Sequence, residues 1–354
     1  MRDMMYAAKY HGPLELRVDL APIPRIGPGE ALLKVLSTGI CGTDLRIYHG
    51  SHRLYTPGVV RIPGHEVVGD IAALGEEVQG LSVGQRVFVA PNMGCGHCRQ
   101  CVSGNNNRCA NYQAFGITID GSFAQYMLIP AASILQGNII PIPETVDPSA
   151  AALIEPFACV LRGQDKLNIQ PEDLVLVIGA GPIGMMHTFL AQMRGARKVL
   201  VSELAPLRAA QAKALGAERV INPAEEDLTQ AVLDESGGEG ADVIIIAAPA
   251  HKAQESALDL AAIGGRINFF GGLPKDRPTI SFNSNHVHYK ELTVTGTTAC
   301  STNDCRRAAA IVGSGKLDLG RLVSARYPLE QVNTAFHEAE QGAALKVVLL
   351  PQES

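Results

Sequence analysis

The sequence predicts an α/β protein with two parts: a β-rich part built from both ends of the chain, and a doubly wound parallel sheet formed by its middle. Three observations carry this. Short apolar runs punctuated by glycine and proline fill the first third. From about residue 154, strand-like runs alternate with longer helical patterns, which argues for βα units in a parallel sheet. After about residue 291 the pattern changes again and ends in an apolar run suited to rejoin the first part. The 354 residues, 46% hydrophobic and 18% charged, favour two domains with sizeable cores and exclude wholesale disorder.

Taken in order, residues 31–36, 67–73 and 86–90 read as strands. The middle reads as strand 174–178, helix 183–194, strand 198–202, helix 207–215, strand 241–247, an amphipathic helix 254–263 and strand 266–270. Beyond residue 291 come strand 292–296, helices 303–314 and 329–341, and a terminal strand 345–350. The expected boundaries are therefore 1–154, 155–290 and 291–354. Residues 174–193 carry no Asp, Glu, Lys or Arg and imitate a membrane span, but Gly179, Gly181, Pro182 and Gly184 break them into strand, turn and helix.

Net charge is −5 and no Lys/Arg block exceeds a pair, so neither a nucleic-acid nor an anionic-membrane partner is expected. The first fifteen residues include Arg2, Asp3, Lys9 and Glu15 without an apolar segment. That is not a secretory signal, and a soluble, cytoplasmic protein is expected.

Eight cysteines in such a chain suggest metal rather than disulfides. Cys95, Cys98, Cys101 and Cys109 fall within fifteen residues, in a lobe spanning about 91–112. Four thiolates at this spacing can close tetrahedrally around Zn²⁺ and leave no open position, which makes a structural site. Four uncoordinated cysteines in a loop are the plainer alternative. His97 reads as a bystander, and Cys159, Cys300 and Cys305 as packing residues.

The run Val177-Ile-Gly179-Ala-Gly181-Pro182-Ile183-Gly184 follows one strand, opens a helix, and precedes a second strand that ends at Glu203. Gly179 suits a tight turn, Gly181 the approach of a pyrophosphate, and Gly184 close helix–strand packing. Pro182 suits a first helical turn, and the helix N-terminus favours phosphate. Glu203 can accept hydrogen bonds from ribose hydroxyls and would repel a 2′-phosphate, so NAD is expected rather than NADP. Arg208 either stacks on adenine or solvates a helix.

A third constellation is dispersed: Cys41 with Thr43 and Asp44, then His65 and Glu66, then Glu155. Cys, His and carboxylate are the ligand types of a catalytic Zn²⁺ with an exchangeable position. Each residue alone has a bland reading: a small buried cysteine, a hydrogen-bonded core histidine, a carboxylate at a helix start. Their co-occurrence with a dinucleotide motif and a separate cysteine cluster carries the metal reading.

Together GICGTD, PGHE, the four-cysteine lobe, EP and VIGAGPIG resemble the zinc-dependent medium-chain dehydrogenase/reductase family, over essentially the whole chain and in order. GICGTDLRIY, EPFACVLRGQ, SELAPLRAAQAKALGA and NSNHVHYKELTVTG resemble its sorbitol/L-iditol 2-dehydrogenase and threonine dehydrogenase branch. The resemblance implies a GroES-like catalytic domain enclosing a Rossmann domain, NAD, and two zinc ions per chain, one catalytic and one structural. It implies Cys41 and His65 as catalytic-zinc ligands, with Glu66 or Glu155 supplying a carboxylate directly or through water. Thr43 takes the place of the hydroxyl that receives the alcohol proton, and Asp44 that of the acid orienting the histidine. A homo-oligomer is implied, a tetramer before a dimer. One position departs from the pattern. Where a histidine often passes the proton to solvent this chain has Arg46, which cannot act as a base.

The expected reaction is oxidation of a secondary alcohol of a polyol by NAD. L-Threonine oxidation, and cyclitol, aminocyclitol or polyol-phosphate oxidation, are the alternatives at the same site. A zinc-free quinone reductase and an NAD-binding structural protein are the readings from other classes. Arg46, His49, His52 and Arg53 belong either to a solvated loop or to an anion-recognising one, and Phe115 and Phe270 either to a substrate wall or to the core.

Overall fold

The computed structural model describes residues 3–353, and the chain divides into two compact units: Met1–Ala158 with Cys300–Ser354, and Cys159–Ala299.

The first unit is β-rich. Its main sheet runs in the order Val323–Pro328, Lys346–Leu350, Ala31–Gly39, Glu66–Leu74, Arg86–Val89, Ile139–Pro141, with Tyr126–Ile129 also paired to Ala31–Gly39. The terminal strand thus lies antiparallel to the third strand of the chain, Val348 opposite Gly39 and Leu349 opposite Thr38. Burial of Val347, Val348 and Leu349 drives this return. An antiparallel hairpin, Met4–Gly12 with Glu15–Pro22, was not singled out by the sequence pattern. Its inward residues Ala8, Tyr10 and Leu16 join Phe123, Val332 and Phe336 in one apolar core.

The second unit is a six-stranded, wholly parallel sheet in the order Arg219–Ile221, Lys198–Ser202, Leu174–Ile178, Ala241–Ile246, Ala261–Phe269, Thr293–Gly296. Both faces are covered, as parallel sheets require. Leu174, Leu176 and Ile178 enter one core while Val175 and Val177 enter another. The chain begins at the central strand, builds to one side, then crosses to the other. The end of Leu174–Ile178 is therefore the point where the strand order reverses, and ligands of such sheets bind there.

The span-like stretch resolves into the strand Leu174–Ile178, a turn and the helix Pro182–Met193. No helix among the described residues is long and apolar enough to cross a membrane. The expected helix 254–263 is instead His251–Leu260, followed at once by the strand Ala261–Phe269. Ala261, Ala262 and Ile263 prolong the apolar stripe of the helix, so periodicity alone extends it too far.

Candidate active site and metal centres

In the second unit, Gly179 has φ +104°, a conformation that only glycine adopts readily. A Cβ on Gly184 would stand 1.8 Å from the carbonyl oxygen of Gly179, so the helix can approach the turn only with glycine there. A Cβ on Gly181 would meet nothing within 4 Å, and that open space lies at the N-cap of the helix opened by Pro182 and Ile183. Glu203 turns its carboxylate onto this loop: Oε2 accepts from the Ala180 N–H at 2.7 Å and Oε1 from the Ala205 N–H at 2.8 Å. The acid therefore braces the glycine turn as well as presenting charge beside it. Arg208 lies on the helix Pro206–Ala214 that follows. Phe270 packs edge-on against buried His187, with ring centres 4.7 Å apart, which places it in the packing of this unit.

In the first unit, the ligand sulfurs of Cys95, Cys98, Cys101 and Cys109 all lie within 4.8 Å of one another. A Cβ on Gly94 would stand 2.3 Å from the Cys101 sulfur, so glycine is what lets the chain close around the cluster. Backbone N–H groups of His97 and Cys98 lower the Cys95 thiol to about 6, whereas burial first, then its sulfur neighbours, pushes Cys101 up to about 12. Four sulfurs this close cannot all ionise without a cation among them, and they fit Zn²⁺. His97 is exposed and its Nδ1 sits 2.9 Å from the Cys95 carbonyl oxygen, outside the cluster. Asn106, marked in the sequence only by a run of asparagines, anchors the lobe. Its Nδ2 donates to the Asn92 carbonyl at 2.7 Å and to Thr302 Oγ1 at 3.0 Å, and its Oδ1 accepts from the Thr302 N–H.

The dispersed constellation is also assembled in the first unit. Cys41 ends the approach to a short helix, Gly42–Tyr48, as its N-cap, and Asp44 closes a capping box by accepting from the Cys41 N–H at 2.9 Å. The other Asp44 oxygen faces His65 Nδ1 at 3.5 Å, both residues being buried. This leaves Nε2 of the imidazole for a ligand. His65 and Glu66 lie where the strand Glu66–Leu74 begins beside Gly39. Ligand atoms of Cys41, His65 and Glu66 fall within 4.8 Å of one another. Glu155, at the start of the helix Ile154–Asp165, is buried, with Oε1 3.6 Å from the Cys300 sulfur. It lies outside the Cys41 group at that distance.

Lys346 completes the cluster. It stands on the terminal strand, 5% exposed, with Nζ 2.7 Å from Glu66 Oε1 in hydrogen-bond geometry and 2.6 Å from Oε2. A Cβ on Gly39 would stand 1.9 Å from Glu66 Oε2 and 3.1 Å from Lys346 Cε, so this pair occupies the space that a glycine vacates. The only signal for Lys346 was a cation inside an otherwise apolar strand.

Charges across the cluster are strongly coupled. Burial alone favours neutral His65, but the Asp44 carboxylate and Cys41 sulfur outweigh it and hold the imidazole well above its ordinary value. Burial raises Glu155, and Glu66 adds to that while His65 and Lys346 oppose it. Burial likewise opposes the Lys346 charge, but Glu66 and Cys41 hold it above its ordinary value. Three buried carboxylates and a thiol thus surround one lysine and one histidine. A divalent cation offsets that excess, and the thiol, imidazole and carboxylate donor set fits Zn²⁺.

Thr43 Oγ1 accepts from Arg46 Nη2 at 2.9 Å. His49 pairs with Glu340 at 2.5 Å, and the His52 ring meets that of Tyr55, so the basic loop is tied in part to its own unit. Phe115 is wholly buried in the sheet core with Val67 and Met127, which makes it core rather than substrate wall. Cys300 and Cys305 are buried with their sulfurs 3.5 Å apart, and Cys300 borders Glu155.

Comparison with known proteins matches residues 27–143 to the alcohol dehydrogenase GroES-like domain and residues 182–314 to the zinc-binding dehydrogenase family. The chain is 36% identical to L-threonine 3-dehydrogenase of Pyrococcus horikoshii, over 93% of each chain. It is 33% identical to sorbitol dehydrogenase of Bacillus subtilis, over 98% of this chain and 97% of that one. A zinc-binding dehydrogenase of Sinorhizobium meliloti, solved with NADP, superposes with a TM-score of 0.91 at 31% identity, covering 99% and 100%. An alcohol dehydrogenase of Escherichia coli CFT073, solved with NADH, gives 0.88 at 29% identity, covering 98% and 99%.

Proposed function

Because the chain belongs to the zinc-binding, GroES-like alcohol dehydrogenase family, we propose that it oxidises a secondary alcohol of a polyol to a ketone with NAD, using Cys41, His65 and a carboxylate from Glu66 or Glu155 at a catalytic zinc. The observation that carries this reading is the convergence of Cys41 from one segment with His65 and Glu66 from another, three ligand types whose ligand atoms lie within 4.8 Å of one another. Cys95, Cys98, Cys101 and Cys109 are assigned a second, structural zinc.

Bound at these places, zinc would supply Lewis-acid activation of an alcohol hydroxyl, and the nicotinamide would supply a hydride acceptor. The chain's own residues do the rest. Asp44 holds His65 by its Nδ1 edge and fixes which nitrogen is presented. Thr43 relays the alcohol proton, Oγ1 taking it up while the hydroxyl passes its own proton to water, and Arg46 occupies part of that oxygen's accepting capacity. Gly179 makes the turn, Gly184 lets the helix pack against it, and Gly181 leaves at the helix N-terminus the open space that a pyrophosphate would take. Glu203 sets a negative charge at the ribose, which favours NAD over a cofactor carrying a 2′-phosphate. Arg208 is assigned to the adenine side.

L-Threonine is the second substrate reading, favoured by the relative from Pyrococcus horikoshii that carries that name. Assembly into a homotetramer is proposed from the resemblance to this branch, and the edge strand Thr293–Gly296, paired on one side only, offers a surface for it. A cytoplasmic location is part of the same reading.

NADH formation over a panel of sorbitol, L-iditol, xylitol, inositols, an aminocyclitol, polyol phosphates and L-threonine tests the proposal, with chelator-treated protein in parallel. Chelator-sensitive turnover of neutral polyols is expected. Turnover of L-threonine alone would replace the first reading with the second, and NADH formation indifferent to chelation would overturn the zinc mechanism.

A further inference from the structure

Buried lysines are rare because desolvating an ammonium is costly, and Lys346 is buried with both side-chain ends accounted for. Its partner Glu66 is fully buried, and two features of the fold hold the pair together. The terminal strand pairs with Ala31–Gly39 so that Val348 lies opposite Gly39, and the side chain of Lys346, two residues earlier on the same strand, reaches Gly39. The missing side chain of Gly39 then leaves the volume that Glu66 Oε2 and Lys346 Cε occupy. The same carboxylate has an oxygen within 4.8 Å of ligand atoms of Cys41 and His65. One anion therefore faces two claimants: an ammonium built into the fold and whatever cation the thiol and imidazole hold. Oε1 is committed to the lysine by a hydrogen bond, whereas Oε2, although close to Nζ, lacks hydrogen-bond geometry and keeps its accepting capacity.

We propose that Lys346 is a positioning residue of the metal centre, whose ammonium competes for Glu66 and so restrains that carboxylate from closing the exchangeable position beside Cys41 and His65. This rests on the reading of those residues as the catalytic zinc set. Its consequence runs against intuition. Removing the lysine leaves Glu66 buried without its cation, and the metal becomes its nearest counter-charge. The centre should then hold metal more tightly and turn over more slowly.

The test uses the full chain, stripped of metal and titrated with Co²⁺ as a spectroscopic probe and Zn²⁺ for affinity. Lys346→Met keeps the length of the side chain and removes the charge. It should raise metal affinity at the Cys41 site about 10- to 100-fold, the scale on which neighbours of metal ligands act. It should also change the Co²⁺ visible absorption bands and lower kcat. Lys346→Arg keeps the charge and should retain the wild-type affinity and bands, which a purely steric role for the lysine would not allow. The doubly substituted protein Lys346→Met, Glu66→Gln buries no unpaired charge. It should return the affinity to within a few-fold of wild type, and it keeps the proposal testable where the single variant does not fold. Affinity and Co²⁺ bands unchanged in Lys346→Met, or an affinity in the double variant as high as in the single one, would overturn the role of Lys346. Failure of the wild-type chain to bind metal through Cys41 would instead overturn the zinc reading on which it stands.

Discussion

Arg46 donates from Nη2 to Thr43 Oγ1 at 2.9 Å, so the residue that replaces the customary proton-relay histidine is bound directly to the hydroxyl assigned to receive the alcohol proton. A guanidinium keeps its charge at every pH that the fold survives. It can polarise Thr43, but it cannot carry a proton onward.

Arg46→His should therefore introduce an ionisation that the wild-type chain lacks. In kcat measured from pH 5 to 9, the variant should gain a transition near the ordinary histidine value of about 6.5. Identical profiles for the two proteins would mean that the proton does not pass this position.

The glycine turn makes a paired prediction. Gly184→Ala forces a methyl to within 1.8 Å of the Gly179 carbonyl, so it should destabilise the second unit by roughly 1–3 kcal/mol and weaken NADH binding. Gly181→Ala meets nothing within 4 Å and should melt like wild type while binding NADH more weakly, because the methyl fills space kept for phosphate. Thermal melts and fluorescence titration with NADH separate the two effects. Unimpaired NADH binding by Gly181→Ala would place the pyrophosphate elsewhere.

Burial, with Arg194 adding to it, lowers His187 to about 3. The folded protein thus keeps His187 neutral while the unfolded chain takes up a proton below about 6.5. The unfolded state binds more protons in that window, so stability falls as pH drops from about 6.5 towards 3, by up to about 1.4 kcal/mol per pH unit from this group. His187→Gln removes the titration. Denaturant unfolding at pH 7 and pH 5 should give a smaller stability loss for the variant, and equal losses would refute the assignment.

Cys98→Ser opens the cysteine lobe, which Asn106 ties to Asn92 and Thr302. The melting temperature should fall by roughly 2–4 °C for each kcal/mol lost. Addition of zinc should not restore it. A melting temperature equal to wild type would mean that no metal stabilises the lobe.

Legibility in the sequence followed how local each signal was. The glycine turn, its two strands and its helix lie within one short stretch, where backbone conformation, phosphate approach and packing each require glycine at a fixed offset. The cysteine lobe was legible for the same reason. Cys41 comes from one segment and the adjacent His65 and Glu66 from another, and their joining depends on strand pairing that no local pattern encodes; only their co-occurrence with the other motifs spoke for them. Lys346 was illegible because its meaning rests on the register of the last strand against the third: with Val348 opposite Gly39, the side chain of Lys346 reaches the space that this glycine leaves open. Asn106 is similar, since both its partners are brought in by other segments. The end of the helix His251–Leu260 is not legible in the sequence because the strand that follows starts with residues that continue its apolar face.

Metal analysis of the purified chain and two variants tests the central claim most directly. The account predicts two zinc ions per chain in wild type and one each in Cys41→Ser and Cys98→Ser. Cys41→Ser should lose turnover while keeping NADH binding, and Cys98→Ser should lose stability first. A wild-type chain with one zinc or none, or a Cys41→Ser variant that keeps both zinc and wild-type turnover, would contradict it.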